Sequence, residues 1–193
     1  MNRPNLTELA QQAWLDHLRP GAWAVDATAG NGRDTAFLAG AAGPAGRVFA
    51  IDIQDAALRA TAVRIGGLDL LERVTLVRGD HARLAELLPC KAMGAIDLVC
   101  FNLGYLPDGD HAVTTRPETT IPALRAALAL LKPAGALSVI AYRGHPGGMR
   151  EAQAVAGFFA ALPAPWRLCQ HLETGSAARP GPVWWLAAGA GGT

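Results

Sequence analysis

The chain has only three cysteines in 193 residues, Cys90, Cys100 and Cys169, and they stand far apart with no C-x-x-C spacing. That argues against a disulfide framework or a thiolate metal site, so no metal is expected and the thiols are expected to be reduced and buried. No apolar run reaches the ~18 residues of a membrane span, and the first residues lack the charged-then-apolar pattern of a secretory signal. A soluble, cytoplasmic protein is expected. An excess of charge is missing too: the formal net charge is +1, which favours no class of partner, so a nucleic-acid ligand would need a local basic patch. With 51% hydrophobic and 17% charged residues, disorder is excluded. The length suits one domain with a real core, divided into a leading helix over 1–20, a core over 21–188 and a short tail over 189–193.

What is present centres on residues 24–38. The apolar run Trp23, Ala24, Val25 ends in Asp26, a turn follows with Gly30 and Gly32, and an apolar-periodic segment begins at once, giving strand, glycine loop and helix. A dinucleotide-binding unit has a third glycine, for which Thr35 stands here. Asp26 at the strand end would repel a pyrophosphate but suits a ligand carrying an ammonium group, such as S-adenosyl-L-methionine. The competing reading makes Asp26 a buried carboxylate satisfied by backbone amides. Asp52 ends the next apolar run, Val48 to Gln54, where an acid accepts hydrogen bonds from ribose hydroxyls. NAD and adenosylmethionine share that ribose, so Asp52 does not choose between them.

The remaining pattern predicts helices over Thr7–Leu18 with Thr7 as N-cap, from the loop to Ala39, over Asp55–Ile65 capped by Asp55, after His81, from Thr120 as N-cap to Leu131 and over Met149–Leu162. Strands are predicted at Val74–Val77, Ile96–Phe101, Ala136–Tyr142, Trp166–Leu172 and Val183–Leu186, besides the two already named. Seven strands, of which the first five alternate with helices and the last two form a hairpin, imply an α/β fold. The sheet should be Rossmann-like, mostly parallel with an antiparallel edge strand, and covered by helices on both faces.

Four segments together, 26–35, 52–54, 102–107 and 142–148, resemble a small bacterial family labelled rRNA methylases. Its members include tRNA methyltransferases that complete 5-methylaminomethyl-2-thiouridine at the wobble position. The resemblance implies a class I methyltransferase fold, S-adenosyl-L-methionine as cofactor, and the anticodon region of tRNA as partner. It also implies that Gly30, Asn31 and Gly32 wrap the methionine end of the cofactor above Asp26, with Thr28 and Asp34 of the same motif assigned to the cofactor. Asp52 and Gln54 would hold the ribose, Asp80 and His81 would border the adenine, and Asn102 would sit beside the methyl group.

Amino-group methyltransferases commonly have Asn-Pro-Pro-Tyr where this chain has Asn102, Leu103, Gly104 and Tyr105, so a flexible aliphatic amine fits at least as well as a planar base amine. Such an amine has a pKa near ~10 and must lose a proton before it can attack. His145 and Tyr142 are the candidate bases, and Tyr105 is a candidate stacking surface for an unpaired base. Each has a plainer alternative: His81 as a helix cap, Tyr105 packed on the sheet edge, His145 as a turn residue. Arg33, Arg116, Arg143 and Arg150 are candidate phosphate contacts. Trp184 and Trp185 should serve the core or a homodimer contact at the last strand edge. The alternatives left open are a protein or small-molecule amine methyltransferase, a nicotinamide-dependent oxidoreductase, and an inactive cofactor-binding subunit.

Overall fold

The computed structural model describes residues 5–106, 109, 112–173, 176 and 180–190. Pro107, Asp108, Asp110, His111 and the end of the tail lie outside the described residues. The chain runs α1 (Leu6–Trp14), β1 (Trp23–Asp26), α2 (Arg33–Ala42), β2 (Arg47–Asp52), α3 (Asp55–Gly66), β3 (Val74–Arg78), α4 (Leu84–Leu87), β4 (Ile96–Leu103), α5 (Pro117–Leu130), β5 (Leu131–Ala141), α6 (Gly148–Ala160), β6 (Arg167–Leu172) and β7 (Val183–Ala188). One seven-stranded sheet has the order β3-β2-β1-β4-β5-β7-β6. The first five strands are mutually parallel, and β7 pairs antiparallel with both β5 and β6. The sheet is thus mostly parallel with antiparallel pairing at one edge. The strand order reverses between β1 and β4, which opens a crevice at their carboxyl ends.

Because successive strand residues face opposite ways, the apolar strands feed two cores. Val25, Phe49, Phe101, Leu124, Phe159 and Trp185 pack on one face, and Trp14, Leu38, Ile65, Leu98, Ile140 and Trp184 on the other. The paired tryptophans divide in this way: Trp185 stacks on Phe159 at 6.0 Å, and Trp184 Nε1 donates to Ser138 Oγ at 2.9 Å. Both are core residues.

Several boundaries differ from expectation for local reasons. Asn5, not Thr7, caps α1, because its side chain accepts from Glu8 N at 3.0 Å while Glu8 Oε2 accepts from Asn5 N at 2.8 Å. Gln54, not Asp55, is the N-cap of α3, and Asp55 pairs with Arg78 at 3.1 Å. Thr120 is not a cap either, since Pro117 starts α5 three residues earlier and the Thr120 hydroxyl donates to Glu151 Oε1 at 2.6 Å. Of the cysteines only Cys100 is buried; Cys90 and Cys169 are exposed, and all three are free. Cys90 starts a short turn, and Cys169 lies in β6, the edge strand whose six residues are all exposed. No described helix is long and apolar enough to cross a membrane.

Gly32 is the glycine at which a left-handed backbone and close packing of two helices coincide. Its φ is +73°, and a Cβ built there would lie 2.7 Å from Thr61 Cα in α3. Gly32→Ala should therefore cost about 2 kcal/mol or more in urea unfolding. Gly40→Ala, on an open face of α2 with nothing within 4 Å, should be neutral or stabilising by up to about 1 kcal/mol. Equal effects would show that α2 and α3 are not in close contact.

Candidate active site

The crevice is a cleft of about 1270 Å³ over the carboxyl ends of β1, β2 and β4, closed on one side by α1. Helix α1 buries Leu6, Ala10 and Trp14 against the sheet and turns Thr7, Glu8 and Gln11 to the cleft. Of the residues expected at the site, Thr28, Gly30, Asn31, Asp34, Asp52, Gln54, Asp80, His81, Asn102, Tyr105, Tyr142 and His145 all line it.

Asp26 and Gly32 do not line the cleft; they shape its floor. Asp26 is 1% exposed. Its carboxylate accepts from Thr28 N at 3.2 Å and from Thr35 Oγ1 at 2.6 Å. The position that lacks the third glycine is therefore filled by a side chain that satisfies Asp26. Burial, with the charge of Asp34 added, pushes the Asp26 pKa up to about 7.

The loop above spends most of its backbone donors within the protein. Gly30 N donates to Asp52 Oδ2 at 2.9 Å, Ala29 N to Ile51 O at 2.9 Å and Gly32 N to Ala29 O at 2.8 Å. Asp52 Oδ1 accepts from Gln54 N at 2.9 Å, which leaves each Asp52 oxygen one further lone pair for a ligand. Asp80 caps the turn after β3 by accepting from Ala82 N at 2.8 Å, so His81 is not the cap. The His81 ring sits edge-on to Phe101, burial lowers its pKa, and its Nε2 is a buried atom without a partner among the described residues.

On the other side of the cleft, Asn102 N donates to Thr28 Oγ1 at 2.7 Å, tying the end of β4 to the loop. Its Nδ2 donates to Asp34 Oδ2, and its Oδ1 is buried with no partner among the described residues. His145 Nδ1 lies 3.1 Å from Pro146 O. A carbonyl only accepts, so Nδ1 donates there, which in the neutral ring leaves Nε2 as an acceptor; that atom is buried and has no partner among the described residues. Gly148 admits that ring, since a Cβ there would lie 2.9 Å from His145 Nε2. Tyr105 meets His145 edge-on at 5.7 Å, and Tyr142 OH lies 3.5 Å from Thr7 Oγ1. Arg33, Arg116 and Arg143 line the cleft, whereas Arg150 is paired with Glu118 at 2.6 Å outside it.

Three contributors were not read from the sequence. Gln11 Nε2 donates to Asp34 Oδ1 at 2.6 Å. Thr114 lines the cleft with a buried hydroxyl that has no partner among the described residues. Glu151, buried in α6, accepts from Thr115 Oγ1 at 2.7 Å and from Thr120 Oγ1 at 2.6 Å, anchoring the loop that carries Thr114. A glutamate inside an alanine-rich helix was the one available signal for that anchor.

Residues 48–185 match the model of a family described as "Putative rRNA methylase". The chain belongs to this family. A tRNA (mnm5s2U34)-methyltransferase, chloroplastic, from Arabidopsis thaliana is 37% identical to it over 177 residues, covering 87% of the chain. The chain spans 64% of that relative's length. A "putative rRNA-methylase" structure from Clostridium thermocellum superposes with a TM-score of 0.88 at 36% identity, covering 97% of this chain and 99% of that one. A "putative methyltransferase" from Streptococcus mutans, in complex with SAH, does so with a TM-score of 0.82 at 30% identity, covering 97% and 98%. Within this methylase family fold, Asn102 Oδ1, His145 Nε2 and His81 Nε2, buried and without a partner among the described residues, all belong to residues of the cleft.

The raised pKa of Asp26 makes stability depend on pH. Between about pH 4 and about pH 7 the folded protein keeps a proton that the unfolded chain has released, so this group's contribution is complete below about pH 4 and is lost as pH rises through about 7. Asp26→Asn is isosteric and uncharged. Its stability relative to the wild type, from urea unfolding, should be higher at about pH 8 than at about pH 5. A constant difference would mean that Asp26 is ionised throughout.

Proposed function

We propose that this chain is an S-adenosyl-L-methionine-dependent RNA methyltransferase acting on an amine nitrogen, that of the 5-aminomethyl group of wobble uridine or 2-thiouridine in tRNA. The observation that carries this reading is the pair of buried, unpartnered acceptors, Asn102 Oδ1 and His145 Nε2, in one cleft. A buried acceptor left bare costs about 1–3 kcal/mol, so its natural partner is a donor on the substrate. A primary amine or ammonium brings two or three N–H donors, whereas a hydroxyl or ring carbon brings at most one. The name of the Arabidopsis relative and the SAH held by the Streptococcus mutans structure support the same donor and acceptor.

The cleft fits the cofactor. Asp52 has free lone pairs for ribose hydroxyls, and the unpartnered His81 Nε2 belongs to a residue that lines the same cleft. The N–H groups of Thr28, Ala29, Gly30 and Gly32 are already engaged, which counts against the pyrophosphate cradle of a nicotinamide enzyme. When bound, S-adenosyl-L-methionine supplies an electrophilic methyl group. Asn102 Oδ1 accepts one N–H of the substrate amine and aims its lone pair, while His145 Nε2 takes the proton that the ammonium must lose before attack. Tyr105 offers a ring face to an unpaired base, and Arg33, Arg116 and Arg143 offer charge to the anticodon phosphates. Free tRNA as substrate is in keeping with a cytoplasmic enzyme.

Incubation with undermodified tRNA and labelled S-adenosyl-L-methionine should yield 5-methylaminomethyl-uridine by nucleoside mass spectrometry. Methylation of a different nucleoside, or no transfer, would overturn the substrate assignment. By isothermal titration, Asp52→Ala should lose cofactor binding. Asn102→Ala should retain it with turnover down by about a hundredfold.

A further inference from the structure

Asn102 carries the chemistry only if its amide points the right way. The two ends of an asparagine side chain are almost the same shape, yet one donates and the other accepts. The backbone of β4 cannot distinguish them. If the amine reading above is right, the oxygen must face the substrate, since a reversed amide would set N–H against N–H.

We infer that Asp34 is a positioning residue that sets the orientation of the Asn102 amide, with Gln11 of α1 as its outer support. Asp34 is 5% exposed at the start of α2. One of its oxygens receives Asn102 Nδ2 and the other receives Gln11 Nε2 at 2.6 Å. An ionised carboxylate only accepts, so turning the Asn102 amide would place oxygen against oxygen. The position in the first turn of α2 favours the ionised form, because the first N–H groups of a helix carry partial positive charge. Burial raises the Asp34 pKa, and the bonds from Gln11 and Asn102 pull the other way. With one oxygen holding Asn102 and the other held by Gln11, Asp34 acts on the reaction through the Asn102 amide. The leading helix thereby becomes part of the catalytic apparatus, since Gln11 is its link to this pair.

The test moves the charge along the same line. In Asp34→Asn the replacement amide can present either end, because Gln11 can turn to match, so the Asn102 orientation is no longer enforced. Turnover should fall by about tenfold or more while the cofactor Kd stays within about threefold. Adding Gln11→Glu puts the carboxylate one step further out. That carboxylate holds the nitrogen of the replacement amide, so the oxygen of the same amide again faces Asn102, and turnover should recover to within about threefold of wild type. The Asn102 side-chain NH2 resonances, assigned by their loss in Asn102→Ala, should shift or double in Asp34→Asn and return in the double variant. Unchanged turnover in Asp34→Asn, a parallel loss of cofactor affinity, or no recovery with unmoved resonances would each overturn the inference. Should Asp34→Asn not fold, Gln11→Ala takes its place, with a few-fold loss of turnover expected and no loss as the overturning result. A wild-type protein that methylates no tRNA would end the proposed function alone, because the resonances report on Asp34 without any substrate.

Discussion

The buried carboxylate of Asp26 is the constraint on which the site depends. It takes the backbone of Thr28 at the start of the loop and the hydroxyl of Thr35 in the first turn of α2, and so fixes both ends of the glycine turn from below. Burial of a carboxylate is costly unless it is well bonded, and here the bonds come from the loop that has to be held. Thr28 then uses its own hydroxyl to accept the backbone N–H of Asn102, so the end of β4 is registered against the loop. Asn102, Asp34 and Gln11 continue the chain of bonds outward to α1.

This arrangement changes what the glycine loop is for. In a pyrophosphate-binding turn the N–H groups are left for the ligand. Here Asp26 and Asp52 take two of them and the neighbouring backbone takes others, so the loop is a rigid wall and not a cradle. Asp52 binds the loop from the side and keeps spare acceptor capacity for the cleft. Gly32 is needed for the approach of α3 at Thr61, and its contribution to ligand binding is indirect.

A second anchoring acid, Glu151, works on the opposite rim. It gathers Thr115 and Thr120, and with them the segment bearing Thr114 and the isolated bridge between Tyr105 and Thr114. Its pKa is raised by burial, against the pull of the two threonine hydroxyls. Each wall of the cleft is thus held by a buried carboxylate that never needs to touch the substrate. Of the five buried side-chain atoms without a partner among the described residues, four belong to residues that line the cleft, Asn102, Thr114, His81 and His145, and the fifth, Trp14 Nε1, lies in the core.

Much of this was legible in the linear chain, because the signals are local. Alternating apolar strands, the glycine turn after Asp26, the acid at Asp52 and the asparagine ending β4 each depend on spacing within a few residues, and they determined the fold class, the seven strands and the polar residues over the ends of β1, β2 and β4. Long-range choices were not legible. No spacing says that β7 inserts between β5 and β6, that Gln11 reaches a carboxylate 23 residues away, or that Asp26 turns under the loop and leaves the cleft. Hydrogen-bond partners and burial belong to the assembled layers, and in a close-packed interior it is packing that decides which polar atom is satisfied and which stays bare for a ligand.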